Sequence, residues 1–451
     1  MTSPLRGVPA AVVAAIGVGA ALGPGGPVSA TVTATPLEHI VVLMQENHTF
    51  DNYFGTYPGV DGIPEGVCMP LDPFSATGDC VEPFQLGANE VVLEDPVHNL
   101  TTQAIQYNGG AMDGFVYALE QRGQDGRLAM AHYGEENLPY YWNLVGEYVL
   151  FDHFFSSAAA SFANHFYWVA GVHAEERPAP GALSPVETIF DRLQEAGIDW
   201  KFYVQGYQPE VNYRTVGDFP TGVEQVASVP LLNIDRFIDD PELNRHIVDL
   251  DEYYVDLERG TLPAVAYIVS AGPSEHPVGR VISGQRFVRG LIQALMRSDA
   301  WESSAFMVTY DDWGGWYDHV RPPQVDAHGY GFRVPAFLVG GYAKRGHIES
   351  TTLDYTSILR FIEDNWGLAP LDVRDATANS IAGAFDFASP PREPTFFGFE
   401  RTAPDSRPAP RREVLFVAYS VALVFGLLFV WFASQTGRVA RSSASGREQP
   451  P

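Results

Sequence analysis

Lysine is almost missing from this chain: of 28 basic residues in 451, only Lys201 and Lys344 are lysine. Basic residues are themselves outnumbered by 55 Asp and Glu, which gives a formal net charge of −27. A chain so short of positive charge lacks the basic patches that nucleic-acid binding needs, so no nucleic acid is expected as a partner. An anionic lipid surface would also repel it unless it were anchored or locally basic. Cysteine is scarce as well, with only Cys68 and Cys80, both in a loop rich in Pro, Gly and Asp. Two cysteines with no neighbouring histidine pair argue against a zinc site. In an extracytoplasmic protein they read as a disulfide closing a small ring. No internal repeat is present.

Charge is also missing from both ends. Residues 1–30 carry one charged side chain, Arg6, then an Ala/Val/Gly-rich run and small residues around Val28-Ser29-Ala30. This is the pattern of a secretory signal peptide, with an uncleaved anchor as the alternative. Near the other end, Val414 to Ala433 is uncharged for about twenty residues, enough to span a bilayer. Trp431 lies near its far edge, where aromatics favour the interface. We therefore expect a transmembrane helix over residues 413–433 and a short basic cytoplasmic tail over 434–451. Residues 394–412, rich in Pro and Arg, read as an extended stalk. The protein would then be a single-pass cell-membrane protein with its main domain extracellular.

What is present is a large core. The composition is 46% hydrophobic and 13% aromatic, ample for one big domain or two smaller ones. Residues 36–393 read as one continuous region in which apolar runs alternate with helical spacing. His39 to Met44, Ala264 to Val269, Ala305 to Tyr310 and Val334 to Val339 have the character of buried strands. Phe287 to Leu295 has helical periodicity. The alternation predicts an α/β domain with a mostly parallel sheet.

In such sheets ligands bind beyond the carboxyl ends of the strands, and the acids of this chain gather there. Glu46-Asn47 follows the first strand and offers a charged and a neutral oxygen, a pair suited to a hard divalent cation. The alternative is that Asn47 and Thr49 only cap a helix. Asp311-Asp312 follows the strand ending at Tyr310 and leads into Gly314-Gly315, and one of these acids would alternatively cap the next turn. Ser161 stands in a run of small residues opening into the apolar stretch Phe166 to Gly171. A hydroxyl so placed at a helix start faces a metal as a nucleophile or serves as a cap. His98, in Asp95-Pro96-Val97-His98, and His276, in Ser274-Glu275-His276-Pro277, are candidates for oxyanion contacts.

These segments, in order, resemble the phosphoesterase family of the alkaline phosphatase superfamily. That family contains the non-specific phospholipases C of bacteria and plants and a group of acid phosphatases. Its E-N-x-S-F-D-x-x-x-G is present as Glu46-Asn47-His48-Thr49-Phe50-Asp51 through Gly55. Its N-G-G-x-M-D-G-F is Asn108 to Phe115, and its T-x-P-N-R is Ser161-Phe162-Ala163-Asn164-His165. Its D-E-x-G-G-x-x-D-H-V-x-P-P is Asp311 to Pro323, and its G-x-R-V-P is Gly331 to Pro335. The resemblance spans nearly all of the region from about residue 36 to 395 and is specific as a set, each motif alone being weak.

The resemblance implies a three-layer α/β/α alkaline-phosphatase-like domain and a metal-dependent hydrolysis of phosphate esters. One divalent metal ion would be held by Glu46, Asn47, Asp311 and Asp312, with Ser161 as nucleophile also touching it. His98 and His276 would hydrogen-bond the phosphoryl oxygens, and Asn164 would join the catalytic set. The expected substrate is a phosphate ester or phospholipid, with phospholipase C-like activity first and acid phosphatase activity second. A non-catalytic surface-binding or adhesion domain on the same fold is the alternative of another class. Trp313 and Trp316 are expected to flank the site and suit an amphiphile. The chain departs from the family pattern at Ala163 and His165, in place of Pro and Arg, and at Asp312, in place of Glu. Trp313 and Tyr355 stand where histidines are common.

Overall fold

The run His39–Gln45 forms the first strand, β1, and its side chains are buried on both faces beyond the first residue. A strand buried on both faces is one covered by layers on both sides. Its neighbours have the same character: β5 (Val265–Ser270) and β6 (Ser304–Tyr310) are buried throughout. The computed structural model describes residues 33–401 except 76–77, 88–93, 176–177, 220–221 and 271–274. The expected signal peptide, transmembrane helix and basic tail lie outside the described residues. Among the described residues no helix is long and apolar enough to cross a membrane.

Eight strands make one sheet. The remaining five are β2 (Val149–Phe151), β3 (Trp200–Gln205), β4 (Ile247–Asp249), β7 (Ala336–Gly340) and β8 (His347–Glu349). The order across the sheet is β8-β2-β7-β6-β1-β5-β3-β4. All strands run the same way except β7, which pairs antiparallel with β6 on one side and β2 on the other. The architecture is α/β with a mostly parallel central sheet, and the expected run at Val334 to Val339 becomes its one reversed strand.

Helices cover the two faces. They include α1 (Phe50–Phe54), α2 (Leu100–Tyr107), α3 (Pro139–Glu147), α4 (Ser161–Ala170), α5 (Asp251–Arg259), α6 (Val281–Met296) and α7 (Tyr355–Trp366). α4 packs with α7 in one group, and α6 packs with α3 and α5 in another. Cys68 and Cys80 form a disulfide in the loop after α1. The first residues of the expected stalk lie on the domain rather than leading away from it. Gln293 Nε2 donates to Phe397 O at 2.9 Å, and Asn143 Nδ2 to Glu400 O at 2.7 Å. Phe397 and Phe399 pack against the core.

Register decides where the site falls. β1 pairs with β6 so that Gln45 lies opposite Tyr310. Met44 lies opposite Val269 of β5. Three strands therefore end at one level, and Glu46 and Asp311 leave β1 and β6 side by side.

Candidate active site

Glu46-Asn47 follows β1, Asp311-Asp312 follows β6, and Glu275-His276 lies a few residues beyond β5. Asn47 turns the chain with a left-handed backbone, φ 65°, a conformation asparagine tolerates better than most side-chain-bearing residues. That turn presents its N–H to Asp311 Oδ1 at 2.9 Å. The same carboxylate oxygen accepts from Asp312 N at 2.7 Å. Gly314 packs on the turn so closely that a Cβ there would lie 2.3 Å from Asn47 O. Trp316 Nε1 donates to that carbonyl at 3.1 Å. The two acid-bearing segments are thus locked to each other.

Capping accounts for only part of these residues. Thr49 caps α1, accepting from Asn52 N, while Asn47 caps nothing. Asp312 Oδ1 accepts from Gly314 N at 2.8 Å, the capping contact, but its Oδ2 accepts from Ser161 Oγ at 2.7 Å. Ser161 is the first residue of α4, the cap position is Ala160, and no side chain caps the helix. The Ser161 hydroxyl is held by a carboxylate instead, half-buried, in the lining of a cleft of roughly 490 Å3, to which His98 also contributes. Pro178, Leu183, Val216, Val223, Val226 and Ala227 line its walls.

His98 Nδ1–H donates to Pro96 O at 2.7 Å, which leaves Nε2 facing Asn47 Nδ2 at 3.3 Å. In the neutral ring Nε2 accepts from that amide, so Asn47 Oδ1 points elsewhere. Burial disfavours charge on His98, but the carboxylates of Asp312, Asp95 and Asp311 outweigh it and hold its pKa above the ordinary value. His276 stands 6.4 Å from His98, ring to ring, and its Nε2 lies 3.9 Å from Glu46 Oε2. The other Glu46 oxygen meets Ser228 Oγ at 3.4 Å.

Asn164 faces away from this cleft. Its Oδ1 accepts from Ser157 N at 3.0 Å and Ala158 N at 2.7 Å, so it clasps the loop leading into α4. Trp313 and Trp316 do not flank an opening: both are fully buried. Trp313 Nε1 donates to Gln106 Oε1 at 2.6 Å, and together the two indoles form the floor behind the acids. Tyr355 sits below as well, donating to the carbonyls of Tyr310 and Asp311. His165 is buried with Nε2 3.9 Å from Asp311 Oδ2, and burial lowers its pKa to about 4.

The donor set fits a divalent cation. Asn47 Oδ1 and Asp311 Oδ2 are buried oxygens with no hydrogen-bond partner, which is costly unless something else meets them. Burial raises the pKa of Glu46 well above the carboxylate range, and repulsion from Asp311, Glu224 and Asp312 adds to it. Burial and Asp312 raise Asp311 in the same way. Mutually repelling carboxylates with free oxygens are relieved by a hard cation. Among the described residues, the groups of three ligating side chains with donor atoms within 4.8 Å of one another are Asp95-His98-His276 and Asp51-Asp318-His319; Glu46, Asp311 and Asp312 stand farther apart than that.

Two buried networks support the site and carry no signal in the residue types alone. Arg333, fully buried, donates Nε to Asp318 Oδ1 at 2.9 Å and NH2 to Asp51 Oδ1 at 3.0 Å. His319 Nδ1 meets the other Asp51 oxygen at 2.7 Å. This ties α1 to the chain after the Gly-Gly turn. Glu275 is the second hub, buried among Tyr53, Tyr141 and Tyr310. Burial raises its pKa to about 7 against the lowering effect of the three hydroxyls.

Fold and site together define an α/β protein whose sheet edge gathers an oxygen-rich group around one hydroxyl. The phosphoesterase family model matches residues 37–369, and the chain belongs to that family. Phospholipase C A of Mycobacterium tuberculosis is 27% identical over 418 residues, covering 79% of this chain and 78% of its own length. Non-specific phospholipase C6 of Arabidopsis thaliana is 27% identical over 430 residues, covering 84% and 78%. A solved structure of a protein in the alkaline phosphatase superfamily, from Vibrio parahaemolyticus, aligns at a TM-score of 0.37 and 13% identity. That alignment covers 73% of this chain and 66% of that one, too distant to add to the argument. The protein is a phosphoric ester hydrolase.

Proposed function

We propose that the protein hydrolyses phosphodiesters, in the manner of a phospholipase C, through Ser161. The observation that carries this reading is the Ser161 hydroxyl, which lines a cleft with largely apolar walls and is held by Asp312 Oδ2 at 2.7 Å. Among the described residues lining that cleft there is no Lys or Arg. A phosphomonoester offers such a cleft only one organic group. A diester carries one charge and an organic group on each side, which suits apolar walls better.

Glu46, Asn47, Asp311 and Asp312 would hold a divalent cation, which when bound lowers the pKa of a nearby hydroxyl and neutralises phosphoryl charge. Asp312 orients Ser161 Oγ and draws on its proton. Oγ attacks phosphorus, the bond to the leaving alcohol breaks, and the phosphoryl group is carried on Ser161 until water releases it. His98 and His276 face the same space and hydrogen-bond the phosphoryl oxygens. The disulfide Cys68–Cys80 fits an oxidising compartment. The uncharged run Val414 to Ala433, read from sequence, would hold the domain at the outer face of a membrane.

The test compares bis(p-nitrophenyl) phosphate with p-nitrophenyl phosphate, and phosphatidylcholine with both. The expected result is a higher kcat/KM for the diesters. A monoester preference of about tenfold or more, which is about 1.4 kcal/mol in transition-state binding, overturns the diester reading in favour of an acid phosphatase.

A further inference from the structure

We propose that Glu275 is a positioning residue that aims His276 at the reacting phosphoryl group. The inference rests on the reading of His276 as a contact to that group. Glu275 is buried to 1% exposure. Its carboxylate accepts hydrogen bonds from Tyr53 Oη at 2.8 Å, Tyr141 Oη at 2.5 Å and the Tyr310 hydroxyl. Its backbone carbonyl lies 3.1 Å from His48 Nε2. His48 Nδ1 lies 2.7 Å from Asn52 Oδ1, so both ring nitrogens face oxygens.

The contacts come from both acid-bearing segments and from α3. His48 follows Asn47 directly, and Tyr53 lies on α1 just beyond. Tyr310 is the last residue of β6 and precedes Asp311. Tyr141 comes from α3, and α6 closes the remaining side. A Cβ at Gly284 of α6 would lie 1.9 Å from Glu275 Cγ, so the helix approaches to contact distance. One residue past this anchor, His276 lies 3.9 Å from Glu46.

Filling the same space with an apolar side chain would avoid desolvating a carboxylate. What the carboxylate adds is direction. Three hydroxyls from three segments fix its rotamer, and His48 packs at its carbonyl. The Cα–C bond that aims His276 is thereby set relative to both acid pairs. A catalytic group displaced by about 1 Å loses about 100-fold in rate, so holding it is worth a buried charge.

The experiment is a double-mutant cycle on the full-length protein, with Glu275→Gln, His276→Ala and the pair combined. Readouts are kcat and KM on bis(p-nitrophenyl) phosphate, calorimetric affinity for inorganic phosphate, and the melting temperature. Glu275→Gln is expected to lower kcat about 10- to 100-fold with KM changed less than about threefold. In the His276→Ala background it is expected to add no further loss. Tyr141→Phe, which removes one hydroxyl and little volume, is expected to lower kcat in the same non-additive way, and it carries the cycle should Glu275→Gln not fold. Losses that multiply in the combined variant, or an unchanged kcat, overturn the proposal. Should the wild type turn over no phosphodiester, the functional reading fails separately. Phosphate affinity then decides: weakening by Glu275→Gln that disappears in the His276→Ala background supports the proposal, and additive weakening overturns it.

Discussion

Replacing Arg333 with methionine leaves Asp51 and Asp318, both fully buried, without the guanidinium that joins them. Asp51 keeps His319 at 2.7 Å, but Asp318 loses the guanidinium bonded to it. Burial already raises Asp318 from 3.8 to about 6 against the pull of Arg333, with Asp51 adding repulsion. A folded value above the unfolded one means the native state holds that proton more tightly. Stability is therefore lost as pH rises from about 4 to about 6, by about 3 kcal/mol for this group. Without Arg333 the pKa climbs further and the loss continues through neutral pH. Breaking a buried pair on one side costs about 3–5 kcal/mol, and we expect that deficit near pH 8. Toward pH 5 the deficit should shrink by at least about 1.4 kcal/mol, because a protonated Asp318 needs no cation. Arg333→Lys should recover less than half, since an ammonium has no fork to meet two carboxylates and the carbonyls of Asp61 and Asp152. The assay is urea unfolding followed by circular dichroism across this pH range. A deficit under about 1 kcal/mol, or one constant with pH, would refute the reasoning about a buried, desolvated pair.

Two further outcomes follow from buried groups away from the cleft. Burial raises Glu363 to about 9, with Asp375 adding to it, so the fold loses stability as pH rises from about 4.5 to about 9. Glu363→Gln should therefore be more stable than wild type by about 1–3 kcal/mol near pH 8, with no gain near pH 5; a variant that melts lower at pH 8 contradicts this. The disulfide joins residues 12 positions apart, and loop entropy alone gives about 3 kcal/mol for a ring of that size. Cys68→Ser with Cys80→Ser should lower the unfolding free energy by up to that amount, and an unfolding curve identical to wild type would show that the ring constrains nothing.

The central strands and the acid pairs were legible because a parallel strand buried on both faces is written as an uninterrupted apolar run. The acids at its end then stand out, while the register that sets Glu46-Asn47 beside Asp311-Asp312 is seen only in the folded sheet. Direction was not legible: Ala336 to Gly340 is an apolar run like the others, and only its two neighbours make it antiparallel. β2, β4 and β8 are three residues each, too short for any periodicity. The indoles of Trp313 and Trp316 were read as a rim because residue type does not say which side of a Gly-Gly turn meets solvent. Their N–H groups find Gln106 and Asn47 O inside the protein. Asn164 is a similar case, where a polar side chain beside the hydroxyl serves the loop backbone instead. The Glu275 hub needs partners at 48, 53, 141 and 310, and no local pattern joins positions so far apart.

The central claim is that Ser161 is the nucleophile in a site that works with a divalent cation. The most direct measurement is hydrolysis of bis(p-nitrophenyl) phosphate by wild type and Ser161→Ala, each before and after a chelator. The account predicts a loss of about 10³-fold or more for the variant and for the chelated wild type. It also predicts that the divalent ion restores the wild type and not the variant. Hydrolysis that survives both the substitution and the chelator would contradict it.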